Sequence, residues 1–86
     1  MPTISMFYGI KIYIPPKDHN PPHFHVEYAE FQAQVEIKTG NILAGQLPPR
    51  ARALTEEWRM LNLDLLLENW QLMVESKNTK PIKGLV

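Results

Sequence analysis

The chain predicts an α+β fold: an antiparallel sheet of about four strands, with one long or two shorter C-terminal helices packed on one face. Three observations predict it. Apolar residues recur at every second position through much of the N-terminal half, the period of a half-buried strand. From Ala51 to Met73 they recur at helical spacing instead. Pro48-Pro49 separates the two regimes, and strands followed by helix is the order of an α+β domain.

Each element has its own local reason. From Thr3 to Ile14, Ile4, Met6, Tyr8, Ile10, Ile12 and Ile14 alternate with Thr3, Ser5, Phe7, Gly9, Lys11 and Tyr13. This reads as one strand with a bulge or bend at Gly9. Pro15-Pro16 ends it, because neither residue donates a backbone hydrogen bond. Phe24, Val26 and Tyr28, then Phe31, Ala33, Val35 and Ile37, form two further alternating runs joined by Ala29-Glu30. A two-residue turn there sets Tyr28 opposite Phe31, His25 opposite Gln34 and His23 opposite Glu36, so rings and branched chains share one face. Thr39-Gly40-Asn41 is a stronger turn signal, and Ile42 to Leu47 follows as a short strand containing Gly45.

Pro48-Pro49 suits the first turn of a helix. Ala51, Leu54, Trp58, Leu61, Leu65 and Leu72 lie on one stripe, widened by Leu66, Trp70 and Met73, and Trp58 and Leu61 are expected against the sheet. Met60, Leu63, Leu67 and Val74 form a second stripe about 180° away, at 100° per residue. One sheet cannot cover both. Either the helix breaks near Asn62-Leu63-Asp64, with Asp64 capping a second helix, or the second stripe is an interface for a homodimer or an operon-encoded small protein partner. The whole chain, 1–86, is expected to form a single domain: sheet 3–47, helical region 49–76 and tail 77–86, with an edge strand through Ile82 and Leu85.

Composition narrows the function classes. Net charge is zero and there is no cysteine, so a thiolate metal site and a cysteine nucleophile are excluded. A duplex-binding protein that neutralises many phosphates is usually more basic, so the net charge does not support nucleic acid as a partner. No apolar run has the length of a membrane span, and no basic segment leads an apolar one. A cytoplasmic location is the expectation.

All three histidines fall within Asp18-His19-Asn20-Pro21-Pro22-His23-Phe24-His25. Histidine is the side chain whose charge and ligand chemistry change near neutral pH. The motif has three readings. His23 and His25, two apart on a strand, share a face. With Asp18, His19 or the cross-strand Glu36 they can hold a divalent transition metal. Alternatively, two of His19, His23 and His25 divide the proton transfers of a phosphodiester cleavage, with Lys11 or Arg50 stabilising the developing charge. In the third reading Asp18 and Asn20 build Asx-type turns, and the histidines satisfy loop carbonyls and Glu36 in a stiff recognition surface. Lys77, Lys80 and Lys83 read as a solvated basic tail.

The run Pro2 to Ile10, the Asp18–His25 motif, Ile37-Lys38-Thr39-Gly40, Leu47-Pro48 and Glu57-Trp58 to Asn69-Trp70 resemble the domain-of-unknown-function 4160 family of short prokaryotic proteins. The resemblance spans nearly the whole chain. It implies a bacterial or archaeal protein, often encoded beside another small domain of unknown function and sometimes proposed as part of a toxin–antitoxin-like pair or labelled a regulator, and it carries no established catalytic residue. The chain departs from the usual pattern at Leu63 and Leu65, where polar residues are more typical. On these grounds the expected function is an interaction or regulatory domain of a two-gene module. The alternative is a histidine-centred enzyme, a metal-dependent hydrolase or an RNase-like toxin.

Overall fold

The protein was described as a computed structural model covering residues 3–86, with Met1 and Pro2 outside the described residues. It is an α+β fold, a five-stranded antiparallel meander followed by two helices. The strands are β1 (Thr3–Phe7), β2 (Ile10–Tyr13), β3 (His23–Tyr28), β4 (Phe31–Glu36) and β5 (Ile42–Gly45), and they lie side by side in chain order.

The fifth strand comes from the N-terminal run. The expected single strand over Thr3–Ile14 is a hairpin, turning at Tyr8-Gly9 with both residues at positive φ, 49° and 79°. Such a two-residue turn matches the twist of the strands it joins. It also reverses parity: Phe7 pairs with Ile10 and shares its face. Ile10, Ile12 and Ile14 are therefore buried with Phe7, while Met6 and Tyr8 are exposed. The irregular register between Thr3 and Ser5 turns Ile4 inward as well.

The β3–β4 register is the expected one, with Tyr28 opposite Phe31, His25 opposite Gln34 and His23 opposite Glu36. Ala29 takes up the positive φ of that turn, 52°. β2 pairs with β3 so that Tyr13 stands opposite His25. β5 follows the 37–41 turn, and Gly45 closes it at φ 77°. A Cβ there would lie 2.1 Å from the Gln32 carbonyl oxygen, so no other residue fits.

Helices α1 (Pro49–Leu61) and α2 (Leu63–Val74) cover the apolar face. Trp58 is fully buried, its ring stacked 5.4 Å from Phe7 and edge-on 5.8 Å from Phe24. The helix breaks at Asn62, whose backbone (φ −125°, ψ 25°) leaves the helical region and whose side-chain amide donates to the Trp58 carbonyl. Asn62, not Asp64, occupies the cap position, and Asp64 lies in the first turn of α2.

The break rotates the second half of the apolar stripe. Leu66, Trp70 and Met73 are buried, and Leu63 and Leu67 pack half-buried against the core. Leu61, expected in the core, is 72 % exposed, and Leu65 is exposed too. Arg59 goes inward instead, donating through Nη1 to the Ile37 carbonyl at 2.8 Å.

The tail forms no strand. It runs beside β1 through one backbone bond, Ile82 N–H to the Ile4 carbonyl at 2.6 Å. Ile82 is buried, Trp58 Nε1 donates to Lys83 O, and the Asn69 amide both donates to and accepts from the Lys80 backbone. That edge of the sheet is covered by side-chain anchoring rather than by a ladder.

Candidate functional site: the Asp18–His23–His25 cluster

The loop between β2 and β3 begins as a stiff lead. Pro15-Pro16 cannot pair, Lys17 turns the chain at φ 61°, and Asp18 points back at the start of β3. The chain then passes through a cis Asn20–Pro21 bond and enters β3 at His23. Strand alternation sends His23 and His25 to the same side, opposite Phe24 and Val26.

One oxygen organises the site. Asp18 Oδ2 lies 2.9 Å from Nε2 of His25, which donates to it, and 2.9 Å from Nε2 of His23. The three ligand-type atoms fall within 4.8 Å of one another. His23 Nδ1 donates to the Pro21 carbonyl at 2.8 Å, and a carbonyl only accepts, so that nitrogen carries the proton. Nε2 of His23 is buried and has no hydrogen-bond partner, since its approach to Asp18 is off the bonding direction.

The walls are aromatic. Tyr13 stacks on His25 with centroids 5.1 Å apart, and Trp70 of α2 stands 5.4 Å from His23. The cluster side chains are nearly closed off, 12 % exposed for Asp18, 5 % for His23 and 19 % for His25.

Electrostatics favour a charged Asp18. Burial alone would raise its carboxyl. The His25 hydrogen bond, the attraction of His23 when it is protonated, the His19 backbone N–H and the like attraction of His25 outweigh it, and the carboxyl sits below its ordinary value. Tyr13 is shifted upward by burial and then by the adjacent Glu27 carboxylate.

Not every candidate joins the cluster. His19 is 92 % exposed, with Nδ1 3.9 Å from the other Asp18 oxygen. Glu36 keeps its cross-strand place opposite His23, but its carboxylate accepts from Thr39 Oγ1 at 2.9 Å. Lys11 lies two pairs along β2 from Tyr13, opposite Glu27, with its ammonium 5.5 Å from the Tyr13 ring. Arg50 is exposed in the first turn of α1.

The bond from His23 to the Pro21 carbonyl is of the kind the third reading expected, a histidine satisfying a loop carbonyl. Tyr13 and the placing of Trp70 over His23 were not foreseen. The first is recoverable, because pairing β2 with β3 by the same alternation sets Tyr13 opposite His25, and the second depends on how α2 closes on the strand.

Among the described residues no other group of three potential ligands converges in this way, and no helix is long and apolar enough to cross a membrane. No curated protein and no solved structure matches the chain. The profile of one family, described as a domain of unknown function (DUF4160), matches residues 9–71. That span holds the cluster, its aromatic walls and most of both helices, and the chain belongs to this family.

Proposed function

We propose that the chain is a small interaction or regulatory domain that works by holding a protein partner, the product of the neighbouring gene in a two-gene module of the toxin–antitoxin kind. The observation that carries this reading is the apolar surface at the α1–α2 junction. Met60, Leu61 and Leu65 fall within six residues and are all exposed, beside a core that is already closed beneath them. Contiguous exposed apolar side chains are the usual mark of an interface.

The break at Asn62 decides which part of the expected interface stripe remains. Leu63 and Leu67 are half-buried within the domain, and Met60 and Val74 are exposed. With half of the stripe absorbed, the need to cover it with a second copy is reduced. A short partner segment laid across Met60, Leu61 and Leu65 fits what is left. The two-gene setting is what the family resemblance implies.

The alternative, a histidine-centred enzyme, draws support from the converging Asp18, His23 and His25. Two magnitudes count against it. The reacting atoms are nearly closed to solvent, and the depression that reaches His25, between Tyr13, Gln32, Gln34 and Ala44, holds about 160 Å³. Small-molecule sites usually measure roughly 300–1,000 Å³.

The test is co-expression of the chain with its genomic neighbour, followed by sedimentation of the mixture and of each protein alone. A one-to-one complex lost in a Leu61→Glu, Leu65→Glu variant of unchanged fold is the expected result. A chain that self-associates through these residues moves the reading to a homodimer. A double variant that binds its neighbour as well as the wild type overturns the assignment of this surface.

A further inference from the structure

We propose that Asp18, His23 and His25 form a binding site for a divalent first-row transition ion, which welds the β2–β3 loop to the start of β3. The site is independent of the partner surface. Two separate observations lead to it.

The first is convergence. Two imidazole nitrogens and one carboxylate oxygen meet with edges of 2.9 Å from Asp18 Oδ2 to each ring. Bonds of about 2.0–2.1 Å around a tetrahedral ion place ligand atoms roughly 3.3 Å apart. The two imidazole nitrogens lie within 4.8 Å of each other, so closing the set takes a turn of the rings as well as a few tenths of an ångström of movement by Asp18, which sits on a loop rather than a strand.

The second is the unpartnered lone pair. His23 Nδ1 holds the proton against Pro21 O, so neutral His23 presents a bare lone pair at Nε2. That atom is buried, bonds to nothing, and faces an anionic oxygen at 2.9 Å. Two lone pairs at that distance repel, and a buried acceptor left without a partner is destabilising. A cation between them turns both lone pairs into ligands. A second proton on Nε2 would give an ion pair with Asp18 without a hydrogen bond between them, whereas a metal ion would use both atoms as ligands.

The surroundings fit a ligand set. A carbonyl bonded to the far nitrogen is how metal-bound histidines are oriented and their tautomer fixed. Two imidazoles with one carboxylate suit zinc, cobalt, nickel or ferrous iron and not calcium or magnesium, which take oxygen ligands. On binding, the His25 Nε2 proton is displaced and its ring takes the Nδ1-protonated tautomer by exchange with solvent. The near closure of all three side chains fits an ion that holds structure rather than one that turns over substrate.

The experiment uses the untagged chain, stripped with chelator and titrated with Zn²⁺ by calorimetry, with Co²⁺ absorption as a second probe. One ion per chain with Kd of about 1 μM or tighter is expected. Saturating Zn²⁺ should raise Tm by roughly 10 °C, since an ion that binds only the folded chain stabilises it. His23→Ala, His25→Ala and Asp18→Asn should each weaken binding at least about 100-fold, beyond the usual loss from an outer contact, and His19→Ala should not. Imidazole ¹⁵N spectra of the wild type identify the ligating nitrogens even where a variant fails to fold, and Zn²⁺ should move Nε2 of His23 and of His25. No stoichiometric binding by the wild type, or Zn²⁺ shifts that leave those two nitrogens unmoved, overturns the site. So does a loss in His19→Ala as large as in His23→Ala.

Discussion

Two loops sit at the same end of the sheet and close it in opposite ways. The 37–41 turn satisfies itself. Gly40 N–H donates to Glu36 O, Glu36 N–H to Asn41 O, Asn41 N–H to Thr39 Oγ1, and Thr39 Oγ1 to the Glu36 carboxylate. Arg59 caps the Ile37 carbonyl from below and is itself held by both oxygens of Glu56. The neighbouring 14–22 loop is tied down through a single carboxylate oxygen shared by two histidines, with one buried nitrogen left over. Ile37 N–H to Pro22 O, at 3.0 Å, joins the two loops. A turn whose polar groups are all matched needs nothing further. One with a buried group unmatched has room for a ligand, and that difference sets the cluster apart from ordinary turn chemistry.

The sharpest way to separate the loops is through the tryptophans beneath them. Trp58 anchors the shared core, packed on Phe7 and Phe24 and bonded to the tail. Trp58→Ala should cost about 3–5 kcal/mol, the range for deleting a buried aromatic, which for a domain this small approaches its whole stability. Trp70→Ala should cost about 3 kcal/mol but unevenly, because its ring lies against His23. Amide exchange should quicken in residues 18–25 far more than in 36–42. Equal acceleration in both segments would show that the loops are one unit.

Arg59 tests the converse. Replacing it with Met leaves the Ile37 carbonyl unmet and removes the ion pair, for about 1–3 kcal/mol. The loss should loosen 37–41 and leave the histidine signals where they were. A variant that instead shifts the His23 resonance would place Arg59 in the cluster's support.

These two loops also show what a sequence can and cannot announce. The β3–β4 register was legible because a strict period of two and a two-residue turn admit one pairing that keeps the apolar residues together. The same period misled at Tyr8-Gly9, where a tight hairpin reverses parity without breaking the run of apolar letters. The helix break was signalled as an alternative by the surplus of leucines, but the facing at the end of α1 was not, because apolar letters alone do not show that Arg59 turns inward to the Ile37 carbonyl while Leu61 stays exposed. In the cluster, His23 and His25 were placed on one face by alternation. Choosing Asp18 over His19 and Glu36 depended on how a nine-residue loop, 14–22, folds back, and local pattern does not encode that.

Backbone conformation provides a smaller contrast. Both loops contain a left-handed residue, Gly40 at φ 80° and Lys17 at φ 61°. Gly40→Ala is strained by its φ, and its Cβ would also fall 2.5 Å from Glu56 Oε1 and 2.8 Å from Arg59 Nε, so a loss of about 1–2 kcal/mol is expected. Lys17 is the wrong residue type for its place. Lys17→Gly relieves the left-handed penalty but gives back part of that in unfolded-state entropy, and a gain of at most about 1 kcal/mol follows. Urea midpoints of the two variants should therefore move in opposite directions. A Lys17→Gly chain less stable than the wild type would mean that the lysine side chain supports its loop.

The smallest effect is the pH dependence of the self-satisfied turn. Glu56 is held below its ordinary carboxyl value by the Arg59 hydrogen bonds, with burial opposing and the charges of Arg59 and Arg52 adding. A carboxyl that is more acidic folded than unfolded stabilises the fold while ionised. That contribution is complete above its unfolded value, near 4.5, and fades as pH falls through the lower folded value. Glu56→Gln never had the charge to lose. The variant should be less stable than the wild type at about pH 7, and the gap should shrink by about pH 3 as the wild-type carboxyl takes up its proton. The partly exposed Glu56 side chain keeps the gap small, since solvent screens the pair. Matched urea titrations of the two proteins at both pH values cancel the distant carboxyls they share. A gap that stays constant across that range would mean that Glu56 holds Arg59 by shape and hydrogen bonding alone, which the amide can imitate, and that charge contributes nothing to closing this turn.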